Sequence, residues 1–297
     1  MLVLVSGSRG LIGTALVAAL EADGHTVRRL VRGRAGGGEV GWDPAGGAID
    51  HTGLEGVDAV VHLAGEPIGG RRWSPAQKER VRSSRVEGTR LLATALAELG
   101  RPPAVMVSGS AVGIYGDRGE ETLTEDSTLG SGFLAEVCRR WEEATGPAGE
   151  AGIRVVTIRT GVVLSPRGGA LGRQLPFFKL GIGGRLSSGR QYTSWISIDD
   201  HVGSVRHLLA TESLKGPVNL TAPEPVRNAE LTRALARALH RPAVVPVPRF
   251  ALAVVLGREL AAEMLGSQRV LPQRLEASGY RFRHEQVDEA LRHVLAA

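Results

Sequence analysis

The chain has 297 residues, of which 42% are hydrophobic and 23% are charged, and its formal net charge is +5. These values are typical of a globular protein and exclude a wholly disordered chain. The length predicts one large domain or a domain with a subdomain. Aromatic residues make up only 4% of the chain and no basic run is interleaved with them, so we expect no nucleic-acid partner.

Cysteine content and apolar runs limit the remaining classes. Cys138 is the only cysteine, which excludes an internal disulfide and a multi-cysteine metal site, and we expect it to be buried and unreactive. The apolar segment from Phe250 to Gly257 is far shorter than the roughly 20 residues that a membrane span needs. The first residues lack the basic segment of a secretion signal. We therefore expect a cytoplasmic protein, a monomer or homodimer, without a membrane or metal partner.

Short apolar runs alternate with longer helical patterns over residues 1–167. The predicted strands are Leu2–Val5, Thr26–Val31, Ala59–Leu63, Ala104–Val107 and Val155–Arg159. The predicted helices are Leu11–Asp23, Pro75–Leu99 and Gly132–Ala148. Continuous apolar strands separated by helices predict an α/β fold with a doubly wound parallel sheet, covered on both faces, in a Rossmann-like arrangement.

The pattern changes in residues 168–297, which we expect to form a smaller substrate-side and C-terminal cap region that shares sheet strands with the first. Residues 168–194 are punctuated by Gly, Arg and Ser and predict a long irregular loop. Pro242–Pro248 predicts an edge strand or an extended link. The predicted helices of this region are Asp200–Thr211, Ala229–Leu239 and Gln286–Leu295.

The first predicted strand runs into a glycine-rich turn, Ser6-Gly7-Ser8-Arg9-Gly10-Leu11-Ile12-Gly13. The first glycine permits a tight turn, the second lets the backbone approach a pyrophosphate, and the third allows close packing of helix on strand. The following helix offers free N–H groups and the positive end of its dipole to phosphates. In this strand–turn–helix context the motif predicts a dinucleotide site built from Gly7, Ser8, Arg9, Gly10, Leu11, Ile12 and Gly13.

The end of the second strand indicates which dinucleotide is bound. A site for NAD usually has an acidic residue there for the ribose 2′-hydroxyl. This strand ends at Val31 and Arg32 with no acid, so we expect Arg32, together with Arg9, to meet a 2′-phosphate and the cofactor to be NADP(H). The alternative is that Arg32 is a solvated charge at the end of a strand.

With these features the sequence resembles the extended short-chain dehydrogenase/reductase superfamily, in its epimerase/dehydratase-like branch. The resemblance rests on the glycine turn and on Val60–Gly65, Ser108–Gly116, Arg159–Leu164 and Trp195–Asp200. The stretches His62–Ile68, Ser84–Thr89 and Gly266–Pro272 resemble more closely an atypical subgroup of "epimerase family" proteins that ends in a small C-terminal domain.

The resemblance implies further cofactor contacts. Leu63, Ala64 and Gly65 would pass along the adenosine side of the cofactor. Arg85 falls where many relatives carry a cofactor-side Asn, so it would reach the cofactor or an anionic substrate, unless it is an ordinary helix-surface arginine. Val162 would lie at the strand exit beside the nicotinamide.

The usual proton-transfer pair of the superfamily, Tyr-x-x-x-Lys, does not occur anywhere in this sequence. Alignment through the relevant helix puts Phe133 or Leu134 in the Tyr position and Val137 or Cys138 in the Lys position, and apolar side chains cannot exchange a proton. The remaining candidates are Ser110, predicted to orient the substrate, and Tyr115, predicted to donate a proton. The alternative is that both only hydrogen-bond the loop.

Residues 183–195 resemble the substrate-facing segment of the superfamily. There we expect Arg185 and Arg190 to hold a phosphate or carboxylate and Trp195 to supply an apolar wall. The leading interpretation is an NADP(H)-dependent oxidoreductase that acts on a small carbonyl or sugar-like compound. A nucleotide-sugar epimerase and a non-catalytic NADP(H)-binding sensor or partner protein are the alternatives.

Overall fold

The computed structural model describes residues 1–33, 35–69 and 71–296. Its strands, in chain order, are β1 Leu2–Ser6, β2 Thr26–Arg32, β3 Glu39–Asp43, β4 Ala48–Ile49, β5 Ala59–His62, β6 Val105–Ala111, β7 Thr122–Leu123, β8 Arg154–Thr160, β9 Val162–Leu164, β10 Tyr192–Thr193, β11 Trp195–Ser197, β12 Gly216–Leu220, β13 Val226–Arg227 and β14 Arg269–Val270.

Helices separate these strands. They are α1 Leu11–Ala22, α2 His51–Leu54, α3 Pro75–Ala97, α4 Phe133–Glu143, α5 Gly146–Glu150, α6 Gly169–Lys179, α7 Ile198–Ala210, α8 Asn228–Leu239, α9 Arg249–Leu256, α10 Arg258–Met264, α11 Gln273–Ala277 and α12 Val287–Ala296, with a 3₁₀ turn at Val112–Tyr115. None of the helices within the described ranges combines the length and the apolar character needed to cross a bilayer.

One eight-stranded sheet organises the molecule, in the order β12-β8-β6-β5-β1-β2-β3-β4. All neighbours pair in parallel except β3 and β4, which are antiparallel. The predicted doubly wound, Rossmann-like sheet is thereby confirmed. Strand β12 lies in the second half of the chain but pairs with β8, so the sheet is shared across the expected boundary near residue 167.

Two apolar layers enclose the sheet because its strands present apolar residues on both faces. On one face, α1 and α7 pack over side chains such as Val5, Val107 and Ile158. On the other face, α3 and α5 pack over Leu4, Val60 and Met106. A third cluster joins α6, α8 and α12 around Trp195, outside the edge of the sheet.

Several segments differ from the sequence predictions. The segment predicted as a loop at residues 168–194 contains α6. The glycines and the internal Pro176 of α6 are not typical of a helix, but burial of Leu171, Leu175 and Phe178 stabilises it. Tertiary packing overrides weak helix propensity there. Helices α9 and α10 and the edge pair β3–β4 were not predicted at all. The segment Pro242–Pro248 is an extended link with a single bridge, between Leu186 and Val247.

A buried carboxylate ties the C-terminal segment to the start of α7. The side chain of Ser197 caps this helix by accepting a hydrogen bond from the amide of Asp200. Asp200 has no exposed surface, and its two oxygens accept hydrogen bonds from the amides of Arg283 (2.8 Å) and His284 (3.0 Å). The hydroxyl groups of Ser197 (2.8 Å) and Tyr280 (3.2 Å) also donate to it. Such charge-assisted bonds anchor the segment from Tyr280 to His284 to the start of α7.

Replacement of this anchor by Asp200→Asn is expected to destabilise the fold by about 2 to 3 kcal/mol, because an amide group would face backbone donors in a buried site. Urea unfolding followed by circular dichroism measures the change. Asp199→Asn is the matched control, since Asp199 is partly exposed and pairs only with His293. Equal midpoints for the two variants would contradict the anchoring role.

Candidate active site

The glycine turn leaves no room for side chains at two of its positions. Gly7 has φ +65°, and a Cβ there would lie 2.8 Å from the carbonyl carbon of Leu63. A Cβ on Gly13 would lie 2.2 Å from the carbonyl oxygen of Gly7. The turn is thus pressed against both the helix that follows and the exit of β5, as a site for close backbone approach to a phosphate requires.

Ser6 joins the turn to the exit of β5. Its hydroxyl oxygen accepts hydrogen bonds from the amides of Leu63 (3.0 Å) and Ala64 (3.1 Å) and lies 2.7 Å from Nδ1 of His62. Nε2 of His62 lies 3.0 Å from the hydroxyl of Thr89 on α3. Burial lowers the pKa of His62 to about 4, so the ring is neutral near pH 7 and serves to hold the two strand exits together.

The N-terminus of α1 is free of side-chain caps. Its N-cap residue is Gly10, and no acidic residue lies in its first turn. Four N–H groups at a helix start need partners from outside the helix, and a phosphate can supply them. These residues therefore fit the pyrophosphate of a dinucleotide.

At the end of β2, Val31 is buried and Arg32 is exposed. Arg9 lies nearby but pairs with Glu39 of β3 at 3.2 Å. The hydrogen bond from the Gly36 amide is the main reason why the pKa of Glu39 lies below its ordinary value. Burial acts in the opposite direction, and the charge of Arg9 lowers the pKa further. The sequence analysis considered only the end of β2 for an acid and missed this carboxylate, because β3 itself was not predicted.

Arg85 is a buried cation above Gly65. Its guanidinium carbon lies 3.2 Å from the place that a Cβ on Gly65 would occupy, and the residue is 8% exposed. One nitrogen donates to the carbonyls of Glu66 (2.9 Å) and Val81 (3.1 Å), and the group lies 5.0 Å from the Trp141 ring centre. Within the described residues it forms no ion pair. A buried charge without a carboxylate is costly unless a ligand supplies the missing interactions.

Apolar residues occupy the start of α4. Leu134 packs against Gly113, and Phe133 stacks edge-on against Trp73 with ring centres 5.0 Å apart. Cys138 is buried one turn further along, and burial raises its pKa to about 12, which keeps the thiol protonated and unreactive. The expected burial of Cys138 is confirmed.

The two predicted catalytic hydroxyls do not face a cleft. Ser110 is 5% exposed and donates to a carboxylate oxygen of Glu142 at 2.6 Å. Tyr115 has no exposed surface; its hydroxyl donates to Asn219 Oδ1 at 2.8 Å and accepts from Arg159 at 3.0 Å. Burial raises the pKa of Tyr115. Both hydroxyls belong to a buried polar network that joins α4 to the sheet, and their roles toward a substrate stay a prediction.

The predicted substrate residues are also dispersed. Trp195 is fully buried in the outer core and donates from its ring nitrogen to the Glu224 carbonyl, and its role as an apolar wall stays a prediction. Arg185 and Arg190 are exposed on a loop that runs beside α8. Val162 begins β9 and pairs with Trp195; the chain after β9 returns to Leu11 of the glycine turn through Gly168 and Gly169.

A cavity of about 510 Å³ lies between the start of α4 and the C-terminal helices. Its walls include Trp73, Lys78 and Phe133 from the sheet-forming part and Arg249, Glu259 and Glu263 from α9 and α10. Its volume is within the range of sites for small organic ligands. The sequence analysis did not single out Lys78 or Glu263, because their helices meet only in the folded chain.

Comparisons with known proteins extend this description. Residues 3–221 match the NAD dependent epimerase/dehydratase family, and residues 247–294 match a domain of unknown function, DUF1731. The chain is 47% identical over 290 residues to the epimerase family protein Mb2239 of Mycobacterium bovis, covering 97% of this chain and 96% of that protein. It is 38% identical over 299 residues to the human epimerase family protein SDR39U1, with full coverage of both.

Solved structures agree with the fold. The crystal structure of human SDR39U1 with NADPH superimposes with a TM-score of 0.92 at 37% identity, over 100% of this chain and 99% of that one. A Thermus thermophilus UDP-glucose 4-epimerase in complex with NAD has a TM-score of 0.76 over 100% and 98% of the two chains, but at 23% identity it supports the fold alone. The extent of these matches shows that the chain belongs to the NAD dependent epimerase/dehydratase family.

Proposed function

We propose that this protein is an NADPH-dependent oxidoreductase that acts on a small carbonyl or sugar-like compound. The observation that carries the proposal is the start of α1, which has no side-chain cap. Gly7 and Gly13 allow it to lie close to the exit of β5, and cationic side chains border it. The NADPH present in the structure of human SDR39U1 supports the choice of cofactor.

Different residues of this chain would contact different parts of the cofactor. The glycine turn from Gly7 to Gly13 would hold the pyrophosphate, and Arg32 with Arg9 would meet the 2′-phosphate. Leu63, Ala64 and Gly65 would line the path of the cofactor, with Arg85 above Gly65 and Val162 at the nicotinamide side. NADPH supplies a hydride when bound; the cavity beside α4 supplies the space for a carbonyl compound.

A non-catalytic NADPH-binding protein is the second candidate. It is favoured by the apolar start of α4 and by the engagement of Ser110 and Tyr115 in a buried network. A nucleotide-sugar epimerase would need a base for its oxidation step. The same observations disfavour this function, because they leave no base at the start of α4.

Oxidation of NADPH, followed by its absorbance in the presence of a panel of simple aldehydes, ketones and α-dicarbonyls, separates the two candidates. Turnover of any member above the rate without protein supports the oxidoreductase. Binding of NADPH, seen by calorimetry, without turnover of the whole panel supports the binding protein. No binding of NADPH or NADP⁺ by the folded protein would refute both.

Arg32→Ala is expected to weaken NADPH binding by about 10- to 100-fold and NADH binding by much less, because a charge-assisted bond contributes about 1.5 to 3 kcal/mol. Calorimetric titration with both nucleotides measures the ratio. Arg29→Ala is the control on the same strand, since Arg29 pairs with Glu21. Equal losses for NADPH and NADH would contradict the 2′-phosphate contact.

Arg85→Met is expected to weaken NADPH binding at least about tenfold without lowering the urea midpoint of the cofactor-free protein, because it removes a buried charge that has no carboxylate partner. Arg82→Met on the same helix, where Arg82 is paired with Glu79, serves as the matched control. A lower midpoint with unchanged NADPH affinity would assign Arg85 a purely structural role.

Tyr115→Phe is expected to lower stability by about 1 to 2 kcal/mol, since Asn219 and Arg159 each lose a buried partner. We expect any NADPH oxidation rate of the folded variant to stay within about twofold of the parent, measured at a temperature well below unfolding. A rate loss of about 100-fold, the scale of a missing general acid, would restore Tyr115 as the proton donor.

A further inference from the structure

We infer that Glu263 of α10 is the proton donor for the carbonyl oxygen in the cavity beside α4. This inference rests on the proposed oxidoreductase function. It begins from the finding that the hydroxyls of Ser110 and Tyr115 are buried elsewhere, so a reduction in this cavity needs another acid.

Position along α3 connects the cavity to the cofactor residues. Lys78 lines the cavity and Arg85 lies over Gly65, and both are on α3, seven residues apart. Two helical turns, or about 10 Å, separate such residues and put them on the same side of the helix. The cavity is thus about 10 Å from Arg85 along α3, so a substrate in it would lie beside the cofactor path that Gly65 and Arg85 border.

Glu263 is the carboxyl group of the cavity that is both sheltered and without a counter-ion. It is half-buried, its Oε1 lies 3.5 Å from the amide of Leu134 at the start of α4, and it forms no ion pair with any other residue that the structure describes. Glu259, one turn earlier on α10, is more exposed and pairs with Lys78. Asp117 accepts from the backbone amides of Ser267 (3.0 Å) and Gly119 (3.3 Å).

The surroundings of Glu263 favour its protonated form. Burial raises its pKa, and repulsion by Glu259 acts in the same direction, whereas the Leu134 amide and Lys78 act against it. Apolar Phe133 and Trp73 line the same space, and Arg249 approaches from α9. A carboxylic acid that keeps its proton closer to neutral pH can deliver it to an oxygen that becomes negative.

The proposed step balances. The carbonyl carbon gains the hydride, the π-electron pair of the C=O bond moves to the oxygen, and the Glu263 carboxyl transfers its proton to that oxygen to give an alcohol. NADPH is oxidised to NADP⁺ and the carbonyl is reduced. The Glu263 carboxylate then takes a proton from water through the open side of the cavity.

The test must distinguish proton donation by Glu263 from a purely structural role, because its carboxyl group lies at the N-terminus of α4, where it can cap the helix. The N-cap residue of α4 is Gly132, which has no side chain to accept a hydrogen bond. Glu263→Gln keeps an oxygen that can accept from the Leu134 amide but has no carboxyl proton to donate. Glu289→Gln on α12 is the control, since Glu289 is exposed and lies outside the cavity.

The first experiment measures protonation without cofactor. ¹³C NMR of protein labelled at the glutamate carboxyl carbon follows each resonance with pH, and the resonance missing in Glu263→Gln identifies Glu263. We expect its midpoint above the ordinary glutamate pKa of about 4.3. A midpoint at or below that value would overturn the inference, whatever the activity.

The second experiment measures NADPH oxidation with whichever carbonyl of the panel the parent protein turns over. We expect kcat of Glu263→Gln to fall about 100-fold with NADPH affinity unchanged, and the alkaline fall in the parent's rate to be lost. Glu289→Gln should keep at least half of the parent's kcat. Unchanged turnover in Glu263→Gln overturns the inference and leaves the proposed function standing; no turnover by the parent with any carbonyl overturns the proposed function itself.

Discussion

The contact between Gly7 and the exit of β5 is the constraint on which the rest of the site depends. A Cβ at Gly7 would meet the Leu63 backbone at 2.8 Å, and one at Gly13 would meet the Gly7 carbonyl at 2.2 Å. These approaches fix the first turn of α1 relative to the edge formed by β1 and β5. The backbone around Gly65, and with it the place that Arg85 covers, is set by the same contact.

Polar groups on the α3 and α4 side of the sheet are used mainly for structure. One row links Ser6, His62 and Thr89; a second links Ser110, Glu142 and Arg159. The second row continues through Tyr115 to Asn219, so the hydroxyl groups of Ser110 and Tyr115 both have buried partners. In this chain the reactive groups that remain at the cavity therefore come from α3 and from the C-terminal helices.

Local patterns in the sequence were sufficient for the sheet core and the dinucleotide turn. The apolar strands, the spacing of Gly7, Gly10 and Gly13, and the burial of Cys138 all depend on neighbours within one strand–turn–helix unit or on one helix face. Helix α6 was missed because glycines and Pro176 lower its intrinsic propensity, and only its packing against the outer core stabilises it.

The site chemistry was less predictable because it depends on contacts between distant parts of the chain. Tyr115 and Ser110 stand in a motif that suggests a reactive edge, yet their partners Asn219 and Glu142 are 104 and 32 residues away. The meeting of Lys78 with Glu259, and of Leu134 with Glu263, leaves no trace in any local spacing.

The Asp200 anchor also bears on how the polypeptide acquires its structure during synthesis. The amides that satisfy this carboxylate belong to Arg283 and His284, and Leu275 packs into the same core as α1 and α7. Until those residues leave the ribosome, a nascent chain holds Asp200 without its partners in an otherwise apolar layer. The α7 side of the sheet therefore cannot be completed until Arg283 and His284 have been synthesised, whereas the glycine turn needs only the first part of the chain.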